Sequence, residues 1–490
     1  NDGTVYGPVL TTGKYGQGLQ FSGGSNRVHI GAPDLGGEWT VSMWVNRQDS
    51  SGPAAKLLDS RFYSIRLEQL GTNKVGITAY GKADYSFNYT APVGQWVHLT
   101  FTGDATSTSL YVNGTLHQTL NVGIKVPLKY LGAQNHAFLG TIDDLKVFDR
   151  KLDAIGVQSL YEGRVLHYQF DESDGVTVTD SSGLGNHAGF KGPERVEGWS
   201  GGGLKFNGGD HFAYMSLPDI KGEWTAAMWI KREPSSQAGE VLLNSRDYSI
   251  RAKQAGSGKI GITRVGKSDS SFNYTLPTDG TWKHIALVGN NEGTSLYVDG
   301  VFQQTLPVVI DLPMQHLGKI GNSLSGVIDS LRVYDRALSA AEIMALYASE
   351  PAPPPSVALG KPATAELSEP GHGPELAVDH DASNESYWDA ALLQSSGKWW
   401  QVDLQAVYQL SGIKVRTYVD GTRYYHYKIE TSLNGTNWTL VAEKNDNTPA
   451  SYHGEYYAVN TQARYVRVTM THNSANNSVH LTDVKVYGTL

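Results

Sequence analysis

The chain has 490 residues, of which 40% are hydrophobic and 18% are charged, which is the composition of a folded globular protein with about three domains. It contains no cysteine, and this excludes a disulfide framework, a thiolate metal site and a cysteine nucleophile. The net charge of -8 and the lack of a basic block predict no nucleic-acid partner, and no apolar run approaches the roughly 18 residues of a membrane span.

The first two thirds of the chain repeat themselves. Phe21 in GQGLQFSGG matches Phe206 in GGGLKFNGG, and Trp39 matches Trp224 in GEWT. The offset between the copies stays constant until one residue is gained before the Trp96 position. A period this long predicts a duplicated domain and not a solenoid repeat.

The second copy has an opening that the first copy lacks. It begins with VLHYQFDES from Val165, followed by the turn-rich DSSGLGNHAG, in which Asn186 aligns with Asn1. We therefore expect the first copy to start in the loop after a strand that is absent. Either the chain was cut or processed there, or a partner supplies that strand.

Both copies consist of short runs in which apolar and polar residues alternate. WTVSMWV, KVGIT and WVHLTF are typical, and Gly, Asn and Asp separate them. Alternation with period two predicts half-buried strands, and many short strands with turn signals predict a sandwich or jelly roll. We expect the repeated tryptophans to lie in the cores, and His98 and His284 to be packed strand residues.

A short helix is predicted to close the second copy, in LSAAEIMALY. There Ser339 and Glu342 fit a capping box. The first copy has Asp153 at the cap but Gly156 in place of the glutamate, so we expect its helix to be weaker.

A proline-rich segment, ASEPAPPPS, follows Tyr347 and predicts a semi-rigid spacer. No such spacer separates the two copies. We expect the two sandwiches to pack as a unit and a third domain to be held away from them on a stiff arm. The predicted division is 1–163, 164–349, a linker at 350–356, and 357–490.

Several motifs recur in order in both copies. Trp39-x4-Trp44, GQWVHLTF, LYVNG and GTIDDLKVFDRKLD are followed in the second copy by GTWKHIALV, LYVDG and GVIDSLRVYDRALS. This series resembles the LamG-like jelly roll of the concanavalin A-like lectin/glucanase superfamily over essentially all of 1–350. The resemblance implies domains that bind glycans or proteins, often with a structural Ca²⁺.

The last segment contains ALGKPATA, WWQVDL, YKIETSLNGTNWTLVAE and ARYVRVTM. It resembles the coagulation factor V/VIII type C (discoidin) domain, which in bacteria is typical of family 32 carbohydrate-binding modules. The predicted fold class is therefore all-β, with two tandem jelly-roll sandwiches followed by a discoidin-type sandwich or barrel.

Calcium ligands are predicted at two places, since hard Ca²⁺ takes six to eight oxygen ligands. The loop DHDASNES is rich in such oxygens, and the resemblance implies that it coordinates calcium with help from the last strand. The alternatives are a polar turn without metal and, at FDES and VIDS in the second copy, a solvated strand end. The candidate ligands are Asp379, Asp381, Ser386, Asp483, Asp171 and Asp329.

Sugar binding requires aromatic faces beside short hydrogen-bonding side chains. RTYVDGTRYYHY and THNSANNSVH supply both on predicted loops, although Tyr425 and Tyr427 can alternate into the core. The resemblance places such loops at one end of the barrel. The candidate sugar-binding residues are Trp388, Tyr418, Arg423, Tyr424, His472, Asn473 and Asn476.

The two copies also share a set of polar residues. We expect ion pairs inside the sandwich to explain them, and the alternative is an exposed sheet face that includes Arg66. The set comprises Arg61/Arg246, Arg66/Arg251, Lys82/Lys267, Asp84/Asp269 and Asn88/Asn273.

The sequence is compatible with three alternative functions. The first is a non-catalytic, calcium-stabilised, glycan-binding region of a secreted or cell-surface multidomain protein from a bacterium, with polysaccharide or glycan as partner. The second is an adhesive or structural surface protein whose first sandwich takes a strand from another chain or an upstream segment. The third is a carbohydrate-active enzyme, although Glu-x-Asp-x-x-Glu, HExxH, GxSxG and P-loop motifs are all missing.

Overall fold

The structure is a computed structural model that describes residues 3–49, 54–379, 381, 384–391 and 397–490. The predicted all-β class is confirmed, since strands dominate each region and the described residues contain only two α-helices. Within these residues no helix is both long enough and apolar enough to cross a membrane.

The first sandwich is built from fourteen strands. They are β1 (Thr4–Tyr6), β2 (Val9–Thr12), β3 (Gln17–Gly24), β4 (Arg27–His29), β5 (Trp39–Arg47), β6 (Lys56–Asp59), β7 (Tyr63–Arg66), β8 (Gly76–Ala79), β9 (Ala83–Ser86), β10 (Trp96–Gly103), β11 (Thr108–Val112), β12 (Thr115–Leu120), β13 (Tyr130–Gly132) and β14 (Ala137–Phe148). One layer runs β3-β14-β5-β10-β11-β12, and the other runs β1-β4-β13-β6-β7-β8-β9. Helix α1 (Ala154–Glu162) closes this sandwich.

The second sandwich repeats this wiring and adds β15 and β16. Its strands are β15 (Arg164–Tyr168), β16 (Thr177–Val178), β17 (Ala188–Lys191), β18 (Glu194–Glu197), β19 (Gly202–Asn207), β20 (Phe212–Tyr214), β21 (Trp224–Arg232), β22 (Glu240–Asn244), β23 (Tyr248–Lys253), β24 (Gly261–Arg264), β25 (Ser268–Ser271), β26 (Trp282–Asn290), β27 (Gly293–Val298), β28 (Val301–Leu306), β29 (His316–Gly318) and β30 (Ser325–Tyr334). Its layers run β19-β30-β21-β26-β27-β28 and β17-β20-β29-β22-β23-β24-β25. Helix α2 (Ala340–Ala348) follows β30.

One repeated tryptophan of each central strand lies in the sandwich core, as expected. Trp39 and Trp224 are fully buried, and each donates its indole N–H to a backbone carbonyl, of Ile124 (2.9 Å) and Ile310 (3.0 Å). A buried indole needs such a partner because an unpaired N–H inside a core is costly. His98 is also buried, as predicted.

The predicted capping box at α2 is confirmed. The Ser339 hydroxyl accepts from the Glu342 amide, and the Glu342 carboxylate accepts from the Ser339 amide. Helix α1 has the same length, but its start has only one of these two hydrogen bonds. There the Asp153 carboxylate accepts from the Gly156 amide (2.8 Å). A Cβ at Gly156 would lie 3.1 Å from the carbonyl oxygen of Gly183 in the second sandwich, so the close packing of the two sandwiches favours glycine there.

The extra strand β15 covers an edge that stays open in the first sandwich. It pairs antiparallel with the end of β30, from Leu331 to Tyr334. The equivalent end of β14, at 145–148, pairs with β5 on one side, and none of the strands within the described part of the chain pairs with its other side. Val147 is consequently 37% exposed, whereas its counterpart Val333 is fully buried.

The third domain is a single sheet of seven strands with a hydrophobic core of its own. Its order is β32-β37-β33-β36-β34-β35, with β31 paired to β33. The elements are β31 (Ala363–Ala365), a 3-10 helix (Pro374–Ala377), β32 (Trp388–Ala391), β33 (Lys398–Thr417), β34 (Tyr425–Ser432), β35 (Thr439–Lys444), β36 (Glu455–Asn473) and β37 (Ser478–Thr489).

The expectation that a stiff arm holds this domain away is wrong. Lys414 and Lys485 both pair with Glu197 of the second sandwich, at 3.1 Å for Lys414, and the His453 ring contacts the Asp171 carbonyl oxygen at 2.8 Å. Burial opposes the charge of Glu197, but the two lysines lower its pKa to about 2. Proline content predicts the stiffness of a spacer but carries no information on complementary charges on the surfaces that it joins.

The first linker residue is itself part of the second sandwich. The Glu350 carboxylate accepts from the Trp229 indole (2.8 Å) and the Ser330 hydroxyl (2.5 Å), and it pairs with Arg332. The Glu350 carbonyl accepts from the Trp199 indole (3.0 Å). These bonds fix the point at which the chain leaves the second sandwich.

Candidate functional site

Four side chains converge at one end of the third domain and form what we call the barrel-end cluster: Tyr387, Tyr418, Arg423 and His480. Tyr387 precedes β32, Tyr418 follows β33, Arg423 lies in the next turn and His480 is on β37. The Tyr387 and Tyr418 rings are 6.0 Å apart and perpendicular, and the Arg423 guanidinium lies 5.0 Å from the Tyr418 ring. His372 stacks on the outer part of the cluster, 4.3 Å from Tyr387.

The hydrogen bonds of His480 identify its neutral form. Its Nδ1 lies 2.8 Å from the Tyr425 hydroxyl and 3.3 Å from Arg423 Nη1. Since a guanidinium only donates, Nδ1 is the acceptor and the ring proton is on Nε2. Burial, reinforced by the positive charge of Arg423, lowers the pKa of His480 to about 4. The imidazole is therefore uncharged at neutral pH.

Arg423 is held in place by two neighbours. Asp420 accepts from its Nε at 3.1 Å, and Nη1 reaches the Tyr425 hydroxyl at 3.4 Å. A guanidinium presents five N–H donors in a fixed fork, so these contacts orient the donors that remain.

Asp389 adds an acceptor next to the cluster. It is the cross-strand partner of His480, and its Oδ2 lies 4.0 Å from His480 Nε2. Its Oδ1 is buried and has no hydrogen-bond partner within the described residues. Burial raises the pKa of this carboxyl. The site thus combines two aromatic rings, an oriented donor and an acceptor, the set that a hydroxylated ring requires.

Two other predicted sugar-binding residues lie elsewhere, in what we call the sheet-face cluster: Tyr424, His426 and His472. The Tyr424 and His472 rings are 5.4 Å apart, and those of His426 and His472 are 4.8 Å apart. Tyr424 and His426 alternate along the chain with Tyr425 and Tyr427, which are buried as the alternative interpretation anticipated. His472 is the cross-strand partner of His426 on β36.

Two predictions are corrected. Trp388 is fully buried, and its indole donates to the Leu367 carbonyl at 3.0 Å, so its ring cannot stack on a sugar. Asn473 is buried and donates to Asn476 Oδ1 (2.7 Å) and the Ser478 carbonyl (2.6 Å), so its amide holds a turn. Asn476 is exposed at that turn.

Sequence reasoning missed Tyr387, His480, His372 and Asp389. Tyr387 and Asp389 flank the buried Trp388, and alternation could have placed both on its opposite face. His480 lies between the buried Val479 and Leu481. Nothing in the sequence places the ends of β32, β33 and β37 together.

The predicted calcium loop brings three of its residues together. Asp379 Oδ1 accepts from the Asp381 amide (2.8 Å), and Asp379 Oδ2 accepts from the Ser386 hydroxyl (2.7 Å). Carboxylate and hydroxyl oxygens are donors that fit Ca²⁺. His380, Ala382 and Ser383 of this loop lie outside the described residues. Within the described residues, no group of three acidic or histidine side chains could hold a metal ion.

Asp483 lies in a different environment. It is the cross-strand partner of Arg416, and Lys485 is 3.7 Å from its carboxylate. Burial raises the pKa of Asp483 to about 6 against the pull of these cations. Positive charges at this distance oppose a metal ion at Asp483.

The two candidate ligands of the second sandwich hold the same tight turn. Asp171 Oδ1 accepts from the Gly202 amide (2.7 Å), and Asp329 Oδ2 accepts from the Ser200 amide (2.9 Å). Burial raises the pKa of Asp329 well above its usual range, and the charge of Glu350 adds to this effect. Asp329 Oδ1 has no hydrogen-bond partner within the described residues. That orphaned oxygen beside Asp171 fits a cation.

Comparison with protein families identifies both kinds of domain. A model described as the concanavalin A-like lectin/glucanases superfamily matches residues 22–158 and 206–344. These two segments cover more than half of the chain, so the chain belongs to this superfamily. An F5/8 type C domain model matches residues 362–483. The two predicted resemblances are confirmed, and no curated protein is similar enough to this chain to count as a match.

Solved structures resemble about a quarter of the chain. A family 89 glycoside hydrolase from Clostridium perfringens, in complex with 2-acetamido-1,2-dideoxynojirmycin, is 28% identical with a TM-score of 0.25, covering 28% of this chain and 15% of that one. Chitosan-binding module 2 of a chitosanase/glucanase from Paenibacillus sp. IK-5, in complex with chitotriose, is 26% identical with a TM-score of 0.24, covering 27% and 99%. These TM-scores are low, so the likenesses define no function for this chain.

Proposed function

We propose that this chain is a non-catalytic, calcium-stabilised, glycan-binding region of a secreted or cell-surface multidomain protein, and that the third domain binds sugar through the barrel-end cluster. The observation that carries the proposal is the placement of Tyr387 and Tyr418 beside Arg423, His480 and Asp389. Aromatic rings pack on the apolar face of a pyranose, while the guanidinium donates to its hydroxyl oxygens and the carboxylate accepts from its hydroxyls.

The experiment is a glycan array probed with the full chain and two variants. Tyr418→Ala removes a ring of the barrel-end cluster, and Tyr424→Ala removes one from the sheet-face cluster. We expect Tyr418→Ala to weaken binding by roughly tenfold or more, the loss of one aromatic contact, with Tyr424→Ala close to wild type. Loss in Tyr424→Ala alone would move the site to the sheet-face cluster. Wild-type protein that binds no glycan would overturn the proposal.

The proposed calcium ligands are Asp379, Asp381 and Ser386 in the third domain and the pair Asp171 and Asp329 in the second sandwich. We leave Asp483 out because Arg416 and Lys485 already supply positive charge there. A bound cation would neutralise these carboxylates and stabilise the fold. The stabilisation amounts to about 2.7 kcal/mol at a calcium concentration one hundred times the dissociation constant.

Thermal unfolding with calcium, with magnesium and with a chelator tests this. Asp379→Asn should remove the calcium effect on the third domain, and Asp329→Asn should remove it from the second sandwich. Each amide keeps the shape of the aspartate side chain, so each variant differs from the wild type in charge and not in packing. Melting temperatures that do not respond to calcium in the wild-type protein would rule out both sites.

The open edge of β14 favours a second candidate function, an adhesive or structural protein whose first sandwich takes a strand in trans. Since β15 covers the equivalent edge of β30, the incoming strand should share the pattern RVLHYQF of Arg164–Phe170. A labelled peptide of this sequence should bind the full chain, and the same peptide with proline at its central position should not. Light scattering over a range of protein concentrations tests whether a second copy supplies the strand. A peptide that fails to bind would count against this function.

A further inference from the structure

The first sandwich carries an open cleft of about 720 Å³ at one end of its β4-β13-β6-β7-β8 layer. The loop after β4, the β6–β7 turn, the β8–β9 turn and the segment before β13 form its walls. Binding pockets for small ligands are usually about 300–1,000 Å³, so the cleft has room for at least one sugar ring. It belongs to a different domain from the barrel-end cluster.

Two aromatic side chains stand in this cleft. Phe62 is 57% exposed and Tyr80 is 36% exposed. The Tyr80 hydroxyl donates to Asp59 Oδ1 (2.7 Å), and Lys56 bonds Asp59 Oδ2 (3.2 Å) from the buried side. This network fixes the Tyr80 ring, so a ligand that packs on it costs little additional ordering of the protein.

The rim of the cleft is strongly basic. Arg61, Lys82, Lys125 and Lys129 are all exposed on it. The single acid in the lining, Asp34, already accepts from the Ser60 hydroxyl at 2.7 Å. Four exposed cations around two aromatic rings attract an anion that also has an apolar face.

The second sandwich shows that the fold does not require two of these four charges. The positions of Lys125 and Lys129 are occupied there by Asp311 and Gln315, and that of Tyr80 by Val265. The serine–aspartate bond beneath the cleft is retained, from Ser245 to Asp219 at 2.6 Å. The structural part of the cleft and two of its four cations are thus shared by the copies, as Arg61/Arg246 and Lys82/Lys267. The other two cations and both aromatic rings are specific to the first.

A neighbouring hollow of about 560 Å³ extends the cleft past Tyr80. Lys56, Arg66 and His136 line it, and Tyr80 and Lys82 belong to both hollows. Its lining also contains one acid, Asp84, which accepts from the Thr78 hydroxyl at 2.7 Å. The buried Lys56 also donates to Asn135 Oδ1 at 2.9 Å. Two hollows that meet at one aromatic ring favour an elongated ligand over a single sugar.

We propose that these two hollows form a binding site for an anionic oligosaccharide, in which sugar rings pack on Phe62 and Tyr80 and carboxylate or sulfate groups meet the basic rim. Neither a neutral glycan nor an isolated anion uses both halves of this surface. Charge-assisted hydrogen bonds are roughly twice as strong as neutral ones, so the basic rim supplies the selectivity.

The test is calorimetric titration of the full chain with an oligogalacturonate, its methyl ester and a sulfated galactan oligosaccharide. All proteins carry Tyr418→Ala, so that failure of the barrel-end cluster does not affect the result. We expect the acidic ligands to bind at least roughly tenfold more tightly than the neutral ester. Added salt should weaken the binding of the acidic ligands. The ratio between the carboxylated and sulfated ligands identifies which anion the site takes.

The decisive variant exchanges the two copies' residues. Lys125→Asp with Lys129→Gln gives the first sandwich the residues that its duplicate already tolerates, and should weaken acidic ligands by roughly tenfold or more. Adding Asp311→Lys and Gln315→Lys restores the net charge of the chain without restoring binding, since Phe62 and Tyr80 have no counterparts there. Phe62→Ala should weaken binding while the salt dependence persists. Acidic ligands that do not bind, that bind as weakly as the ester, or that bind the first exchange variant like wild type would each overturn the proposal.

Discussion

The two sandwiches neutralise the same buried arginine in different ways. Arg232 at the end of β21 pairs with Glu240, at 2.9 Å and 3.0 Å, whereas Arg47 at the end of β5 pairs with Glu68. The position of Glu240 holds Ala55 in the first copy, and the position of Glu68 holds Lys253 in the second. Duplication has therefore preserved a requirement, a carboxylate beside the arginine, and not the residue that meets it.

The surfaces of the two copies differ more than their interiors. The wiring of strands, the indole bonds of Trp39 and Trp224 and the serine–aspartate pairs are all shared. The two aromatic rings and two of the four cations of the cleft are present in the first copy only, and the strand that covers β30 is present in the second copy only. The shared features report what the sandwich needs to fold, and the differences report what each copy does.

Removing the buried acid of the second copy should cause the largest loss of unfolding free energy. Glu240→Ala leaves Arg232 buried without its partner, and breaking such a pair costs about 3–5 kcal/mol of unfolding free energy. Lys253→Glu, which introduces the first copy's acid, should recover part of that loss. Urea unfolding of the two variants measures both values, and an additive double variant would show that the two acid positions are not interchangeable.

Acid should destabilise the second sandwich more than the first. Burial, followed by the charges of Arg332 and Arg164, lowers the pKa of His167 to about 3, and the first copy has no equivalent of this residue. An unfolded histidine has a pKa of about 6.5, so between about pH 6.5 and pH 3 the unfolded chain binds a proton at His167 that the folded chain does not. The unfolding free energy therefore falls by a few kcal/mol as the pH falls through this range.

His167→Gln isolates this contribution. Measured relative to pH 7, the wild type should lose a few kcal/mol more unfolding free energy than the variant by pH 3. Parallel pH profiles for the two proteins would contradict the assignment.

Hydrogen exchange should report the open edge directly. Amides at 145–148 that face away from β5 should exchange at least about tenfold faster than their counterparts at 331–334, which β15 covers, a difference of about 1.4 kcal/mol in opening free energy. Equal protection would mean that another part of the chain covers this edge in solution.

The smallest effect is expected at the helix starts. Glu342→Ala removes the second half of the capping box and the Arg336 pair at 2.8 Å, and makes α2 resemble α1. Because Glu342 is partly exposed, the loss should be about 0.5–1 kcal/mol. Thermal unfolding of this variant and of Asp153→Ala in α1 compares the two caps. A larger loss of stability in α2 than in α1 would show that the capping box stabilises more than the first turn of the helix.

Much of the fold could be predicted because it rests on local patterns. Alternation identified the strands around Trp39 and Trp224, and Ser339 with Glu342 identified α2. The barrel-end cluster could be predicted only in part, since Tyr418 and Arg423 lie in one polar turn but His480 comes from a distant strand. Trp388 was misplaced because an aromatic residue in a polar loop looks the same in sequence whether it faces solvent or the core.

The pairing of Glu197 with Lys414 and Lys485 has a consequence for orientation. With these ion pairs in place and the chain leaving the second sandwich at the anchored Glu350, the third domain can turn relative to that sandwich only when the pairs break. The proposed sugar site of the third domain and the proposed cleft of the first sandwich therefore lie on domains that contact one another within one chain. On a surface that repeats its ligand, engagement of one such site would raise the effective concentration of the other.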